Sequence, residues 1–221
     1  MMDYSDTTVM IPVKDEPAVA TVAKSVLQNL PNCKVVVIYK GEKPNLPKNK
    51  SLTVIKQTGS GKGFAVIQAA KTIHTKIMCL IDGDATYEVN DLKKLIKLVR
   101  EGADMALGNR LYKIDREAMP DFIVFGNTVI TVVADLLYGM HIQDSQTGIR
   151  AIKKSVFDSI NFQEQYFGIE TEMDVKMHKK GLKIIEIPTK YYKRIGESKQ
   201  MKLIDGLKLL GIDFKFLSDD E

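Results

Sequence analysis

Residues 77–81, Ile-Met-Cys-Leu-Ile, form an unbroken apolar run that ends in two carboxylates one residue apart, Asp82 and Asp84. An apolar run this short, without the alternation of a half-exposed strand, reads as a strand buried on both faces. Residues 35–38, Val-Val-Val-Ile, have the same character. Parallel strands are joined by crossovers that lay helices over both faces of the sheet. The fold class that follows is α/β, with a mostly parallel central sheet flanked by helices. In open sheets of that kind, ligands bind at the carboxyl ends of the strands, which is where the two aspartates fall. Side chains two apart on a strand share a face, so the pair is expected to present two hard oxygen ligands side by side. Close carboxylates repel, and a divalent cation is their natural partner. Asp-Gly-Asp is equally a turn sequence, and the pair alone does not decide between the two.

The remainder of the chain alternates as an α/β fold requires. A first strand covers 7–13, with Pro12 ending its ladder. Pro17 suits a first helical turn, and Val19, Val22, Ala23, Val26 and Leu27 recur at helical spacing until Pro31. Strands follow at 34–39 and 52–55, then a glycine-rich turn (59–63) into a helix over 64–73. Asp91 is placed to cap a helix carrying Leu92, Leu95, Ile96 and Val99 on one face. A strand over 103–107 closes on Gly108-Asn109-Arg110. The second half predicts a long apolar helix in 122–140, a helix over 170–180 stopped by Gly181, strands at 182–187 and 189–193 split by Pro188, and an amphipathic helix over 203–216. With no linker-like stretch, all 221 residues are read as a single domain.

Several classes are excluded. Residues 122–140 are apolar enough to suggest a membrane span, but Asn127 and Asp135 lie inside, and an aspartate at mid-bilayer is costly; a buried or interfacial helix is expected. Cys33 and Cys79 sit in or beside strands and read as reduced thiols of a cytoplasmic protein. The N-terminus has no secretory pattern. His74, His141 and His178 fit no ligand spacing. The net charge is only +4, yet residues 179–202 carry eight basic residues against Glu186 and Glu197. That cluster points to phosphate or anionic lipid, and no nucleic-acid partner is expected.

Three constellations carry chemistry. The turn Gly59-Ser60-Gly61-Lys62-Gly63 is not a P-loop, because that pattern needs glycine at Lys56 and a hydroxyl at Gly63; it remains a turn whose amides and Lys62 could face a phosphate. Asp144-Ser145-Gln146-Thr147-Gly148-Ile149-Arg150 is too polar for a core strand. There Gly148 permits close backbone approach, and Arg150 could grip a phosphate through two nitrogens. Residues 191–199 join aromatics, cations and Gly196, as in a loop that closes over a diphosphate.

In order, IPVKDE (11–16), GKGFAVIQAA (61–70), IDGDA (81–85), GNRL (108–111), DSQTGIRAI (144–152), FGIETEM (167–173) and IPTKYYKRIGESK (187–199) resemble the inverting family-2 glycosyltransferases of GT-A fold, and among them the dolichyl-phosphate mannose and glucose synthases. The resemblance implies a nucleotide-sugar part over about 1–110, an acceptor part over 111–200, and a terminal amphipathic helix with an acidic tail over 201–221. It places Pro12 and Glu16 at the base and ribose, and Lys62 near the nucleotide. Asp82 and Asp84 become the Asp-x-Asp pair on Mg2+ or Mn2+, with Asp84 the more direct ligand. Arg110 and Arg150 fall at the acceptor phosphate, with Asp144 beside them. Arg194, Ser198 and Lys199 belong to a loop closing on the diphosphate. Two positions depart from the pattern: Tyr39-Lys40-Gly41 stands where acids read the base, and Thr86 where relatives carry a glutamine on the metal. The implied reaction moves a sugar from a UDP- or GDP-sugar to a polyprenyl (dolichyl-type) phosphate, with the protein peripheral on the cytoplasmic face of a membrane. The alternatives are a hydroxyl acceptor, for which Asp144 would be the base, and a non-catalytic sugar-nucleotide-binding protein.

Overall fold

The structure, a computed structural model, describes residues 2–112 and 114–195. Its first half runs β1 (Thr7–Lys14), α1 (Val19–Asn29), β2 (Lys34–Lys40), β3 (Leu52–Lys56), α2 (Lys62–Ala70), β4 (Ile77–Leu80), α3 (Val89–Arg100) and β5 (Met105–Asn109). Then come α4 (Asp121–Tyr138), β6 (Arg150–Lys153), α5 (Lys154–Asp158), α6 (Ile169–Lys179) and β7 (Ile184–Pro188). The seven strands form one sheet in the order β3-β2-β1-β4-β6-β5-β7. Six share a direction, and β6 alone runs antiparallel to both its neighbours, β4 and β5.

The apolar runs explain the layering. In β4, Met78 and Leu80 pack with α2 and α6 through Ala65, Val66, Ala69, Met173 and Met177. On the other face, Cys79 and the following Ile81 pack with α1 and α3 through Val22, Val26, Leu92 and Leu95. Each face of the strand thus has its own core, which is why polar alternation is absent. Burial also pushes the Cys79 and Cys33 thiols up, Cys33 to about 11, so both stay protonated core side chains.

Some elements differ from the sequence expectation. Pro12 does not end β1: it keeps register with Ile38 of β2, while pairing to β4 stops at Met10↔Leu80. The proline therefore lies where the strand has a single neighbour and a missing N–H costs least. Glu88, not Asp91, caps α3, accepting from the Asn90 N–H. Asp91 is buried in the first turn, where it accepts the Thr189 hydroxyl at 2.6 Å and the Lys190 N–H at 3.2 Å. Of the two strands expected over 182–193 one forms, β7 (Ile184–Pro188), followed by an isolated bridge between Tyr87 and Tyr191. The helix expected over 203–216 lies outside the described residues.

Candidate active site

The site sits at the carboxyl edge of β1, β4, β5 and β7, where the reversed strand β6 contributes its first residue, Arg150, opposite Leu80 and Leu107. Because β4 ends at Leu80, the two aspartates stand beyond it on a turn in which Ala85 has φ 61°. They do not share partners. Asp82 Oδ1 is 2.6 Å from Lys62 Nζ, and the same ammonium lies 2.6 Å from Glu170 Oε1. Lys62 is half-buried, and against the cost of desolvation its two carboxylate neighbours hold its pKa well above the ordinary lysine value. On its other side Asp82 abuts Gly148, where a Cβ would fall 2.1 Å from Asp82 Oδ2. The close approach expected of Gly148 is therefore to this carboxylate.

Asp84 turns elsewhere. Its Oδ1 accepts the Thr86 hydroxyl at 2.7 Å and the Thr86 N–H at 3.2 Å, and its Oδ2 lies 3.3 Å from Arg194 Nη1. Arg194 also pairs with Glu16, the residue expected at the ribose. Burial, and then the charge of Asp82, raise the Asp84 pKa; burial and the Asp84 charge raise that of Glu16. Glu16 Oε1 is buried, with no hydrogen-bond partner among the described residues. Four carboxylates (Glu16, Asp82, Asp84, Glu170) meet two cations (Lys62, Arg194) in this cluster.

The polar stretch 144–150 proves to be interior. Asp144, Ser145 and Thr147 are fully buried, and Arg150 is 1% exposed. Asp144 receives Arg110 through Nε at 2.8 Å, Nη2 at 2.7 Å and the Arg110 backbone N–H at 2.9 Å. Arg110 further stacks its guanidinium over Tyr191, 5.4 Å from the ring centroid, and the Asp144 charge holds its pKa up. Arg150, expected at the acceptor phosphate, is engaged by the protein itself. It donates to the Thr147 and Ser145 carbonyls and to both oxygens of Asp174, and it meets Met105 Sδ at 3.9 Å. An arginine has five N–H donors, and these contacts take all five. Its work is to hold the 145–147 turn that carries Gly148 against Asp82.

The glycine-rich turn is corrected too. The Gly63 and Phe64 N–H groups donate to the carbonyls of Tyr166 and Gln165 at 3.0 and 2.9 Å, so they do not face a phosphate. Its glycines are required by that packing, since a Cβ at Gly61 or Gly63 would lie 2.0 and 2.2 Å from the carbonyls of Gln165 and Glu164. Lys40, in the place of the family's acids, donates to the Gly59 carbonyl at 2.7 Å. Ser198 and Lys199 lie outside the described residues. Sequence reasoning passed over Glu170 and Asp174, whose partners are separated from them by 108 and 24 positions (Lys62, Arg150); the motif FGIETEM contained Glu170 without indicating its partner. It passed over Tyr87 as well, whose hydroxyl accepts the Gly148 N–H at 2.7 Å. A groove of about 890 Å³ lies at the opposite edge of the sheet, between Asp6, His74, Lys76, Arg100 and Lys153, and contains none of the site residues.

The family model for glycosyl transferase family 2 matches residues 8–160. Glycosyltransferase AglJ of Haloferax volcanii is 35% identical over 150 residues, 67% of this chain and 50% of that protein. Dolichyl-phosphate hexose transferase of the same organism is 30% identical over 156 residues, 71% of this chain and 68% of that one. The chain spans about half the length of the first of these relatives. Glucosyl-3-phosphoglycerate synthase of Mycobacterium tuberculosis, solved with Mn2+, UDP-glucose and phosphoglyceric acid, superposes with a TM-score of 0.73 at 11% identity, covering 97% of this chain and 80% of that one. The fold is thus of the GT-A type. With the family model covering well over half of its length, the chain belongs to glycosyl transferase family 2.

Proposed function

We propose that the protein transfers a sugar from a nucleoside-diphosphate sugar to a polyprenyl (dolichyl-type) phosphate, with inversion. The observation that carries this reading is the Arg110–Asp144 pair. Asp144 is the residue that a hydroxyl acceptor would need as its base, and both its oxygens are taken by Arg110 in a fully buried setting. A general base must reach the proton it removes. A phosphate acceptor is already ionised at neutral pH and needs none. An acceptor phosphate oxygen attacks the anomeric carbon from the face opposite the leaving group. The anomeric C–O bond breaks, and the nucleoside diphosphate departs with the electron pair. Arg110 serves as the cationic seat of the acceptor, Asp144 fixing its orientation. Arg194 and Lys199 offset the charge developing on the diphosphate, and Pro12 and Glu16 bound the nucleoside end.

The residues present fit a divalent cation, Mg2+ or Mn2+. The cluster that includes Asp84 holds two more carboxylates than cations, and a buried oxygen of Glu16 has no hydrogen bond among the described residues. Among the described residues no three His, Cys, Asp or Glu side chains are gathered as a metal-binding group. Asp84, with Asp82 beside it, would therefore hold an ion that also takes oxygens from the donor. Such an ion neutralises leaving-group charge. The names of the relatives and the Mn2+ and UDP-glucose of the solved neighbour support this choice of donor, acceptor and metal.

A lipid acceptor requires a membrane nearby. Helix α4 supports peripheral attachment: it buries Asn127, Ile130, Thr131 and Ala134 and exposes Phe122, Phe125, Val132 and Leu136. It is long and apolar enough to cross a bilayer, but its buried polar face suits a helix lying in the interface. The test supplies radiolabelled UDP- and GDP-sugars with Mn2+ and either a polyprenyl phosphate or soluble sugars. Label entering the organic phase only with the lipid is the expected result. Label transferred only to soluble sugars, or no transfer to the lipid from any donor, overturns the proposal.

A further inference from the structure

We propose that Arg194 occupies the cation position on Asp84 and gives it up when a donor arrives, so that metal uptake is coupled to donor binding. This rests on the donor and metal reading above. Asp84 has two carboxylate oxygens, and both are engaged. Oδ1 is held by the hydroxyl and N–H of Thr86, two residues on, inside one turn. Releasing it would take the turn apart. Among the described residues, Oδ2 meets only the guanidinium of Arg194, at 3.3 Å, longer than a charge-assisted hydrogen bond. Oδ2 is therefore the oxygen that can change partners.

A divalent ion on Oδ2 would stand within a few ångströms of that guanidinium, and like charges at such range repel strongly in a partly desolvated site. Ligation of the ion by Oδ2 therefore disfavours retention of Arg194 there. Arg194 is poised to leave. Among the described residues its buried Nε has no hydrogen-bond partner, and neither has Oε1 of the Glu16 it pairs with. The contact thus leaves hydrogen-bonding capacity unused on both sides, which an incoming diphosphate would satisfy on the arginine. The backbone beneath is anchored upstream, by the Thr189–Asp91 bond, the Tyr191–Tyr87 bridge and the Tyr192 N–H to Thr86 carbonyl bond at 2.7 Å. At Arg194 itself the tie is weaker, the Ile195 N–H reaching the Asp84 carbonyl at 3.3 Å. The side chain can swing from carboxylate to phosphate while the anchored part stays in place.

The test reads Mn2+ binding, not turnover. Free Mn2+ is followed by its paramagnetic resonance signal with the full chain, first with the ion alone and then with UDP or GDP, corrected for ion held by the nucleotide in solution. Arg194→Ala should bind Mn2+ alone about five- to tenfold more tightly than the unsubstituted protein, and should gain less from added nucleotide. Arg194→Gln, which keeps a donor but not the charge, should behave alike. Equal or weaker Mn2+ binding by both variants, with uptake still abolished by Asp84→Asn, overturns the exchange and leaves the metal reading standing. No Mn2+ uptake by any form, with either nucleotide, overturns the metal reading and the exchange together.

Discussion

Arg110 and Arg150 look interchangeable in the sequence, as two arginines beside polar motifs, and the structure gives them different surroundings. Arg150 has every donor bound to the protein and faces Asp174 in the core, where burial pushes the Asp174 carboxyl up. Replacing Arg150 by methionine would leave Asp174 buried without its cation, a loss of about 3–5 kcal/mol of stability, measurable as a lowered urea midpoint. A fall in acceptor affinity at unchanged stability would instead restore the phosphate-binding role. Gly148 makes the second residue-scale prediction. In Gly148→Ala the new methyl meets Asp82 at 2.1 Å, so the carboxylate must leave its place beside Lys62. A displacement of that size costs on the order of a hundredfold in turnover, with little change in unfolding midpoint; normal turnover would show that Asp82 need not hold its position. The aspartates, glycine and arginines were visible in the sequence because each residue type carries its chemistry locally. Their partners were not, since Lys62–Glu170 is set by how α6 meets α2 and Arg150–Asp174 by how α6 meets β6, which no local periodicity records.

At the level of elements, the buried strands were legible because continuous apolar runs have few other uses. Direction was not: a period of two is the same for a parallel and an antiparallel strand, so the reversal of β6 could not be read from Arg150-Ala151-Ile152-Lys153. That reversal matters, since it turns the start of β6, with Gly148 before it, toward the carboxyl edge of β4. Strand β7 supports the same corner through Glu186, which accepts the N–H groups of Gln143 at 3.1 Å and Asp144 at 2.8 Å. Burial is the first cause that raises the Glu186 pKa, and the charge of Asp144 adds to it. A carboxyl whose folded pKa lies above its unfolded value favours the fold most below the unfolded pKa, and that contribution is lost as pH rises through the folded pKa. Stability should therefore decline from about pH 4 upward through the raised Glu186 value. Glu186→Gln, which keeps an acceptor for one N–H, should flatten that decline. Urea midpoints across the range check it, and an unchanged slope in the variant would assign the dependence to other groups.

On the scale of the whole molecule, the carboxyl edge of the sheet carries the charged cluster, and α4, which leads from the Arg110 side of that edge to the Asp144 turn, leaves its apolar side uncovered. Hydropathy alone could not say whether 122–140 was core, span or surface, because all three uses favour the same residues. Placement separates them: Asn127 and Thr131 are buried, Thr131 meeting the Ser145 hydroxyl at 3.1 Å, while Phe125 and Leu136 are 71% and 81% exposed. A helix crossing a bilayer would have to pull that polar face from its partners. One lying flat keeps them and dips only the exposed side chains. Each large apolar side chain moved from water into lipid contributes about 1.5 kcal/mol or more. Phe125→Glu with Leu136→Glu should then lower partitioning to anionic vesicles by about a hundredfold, without unfolding the protein, because neither side chain is in the core. In a flotation assay at low salt, the unsubstituted chain should rise with the vesicles and the double variant should stay below. A double variant that floats equally well would move the contact away from α4. If neither protein floats, the acceptor must be brought to the site without a membrane, and a soluble phosphate acceptor becomes the better reading of the Arg110 seat.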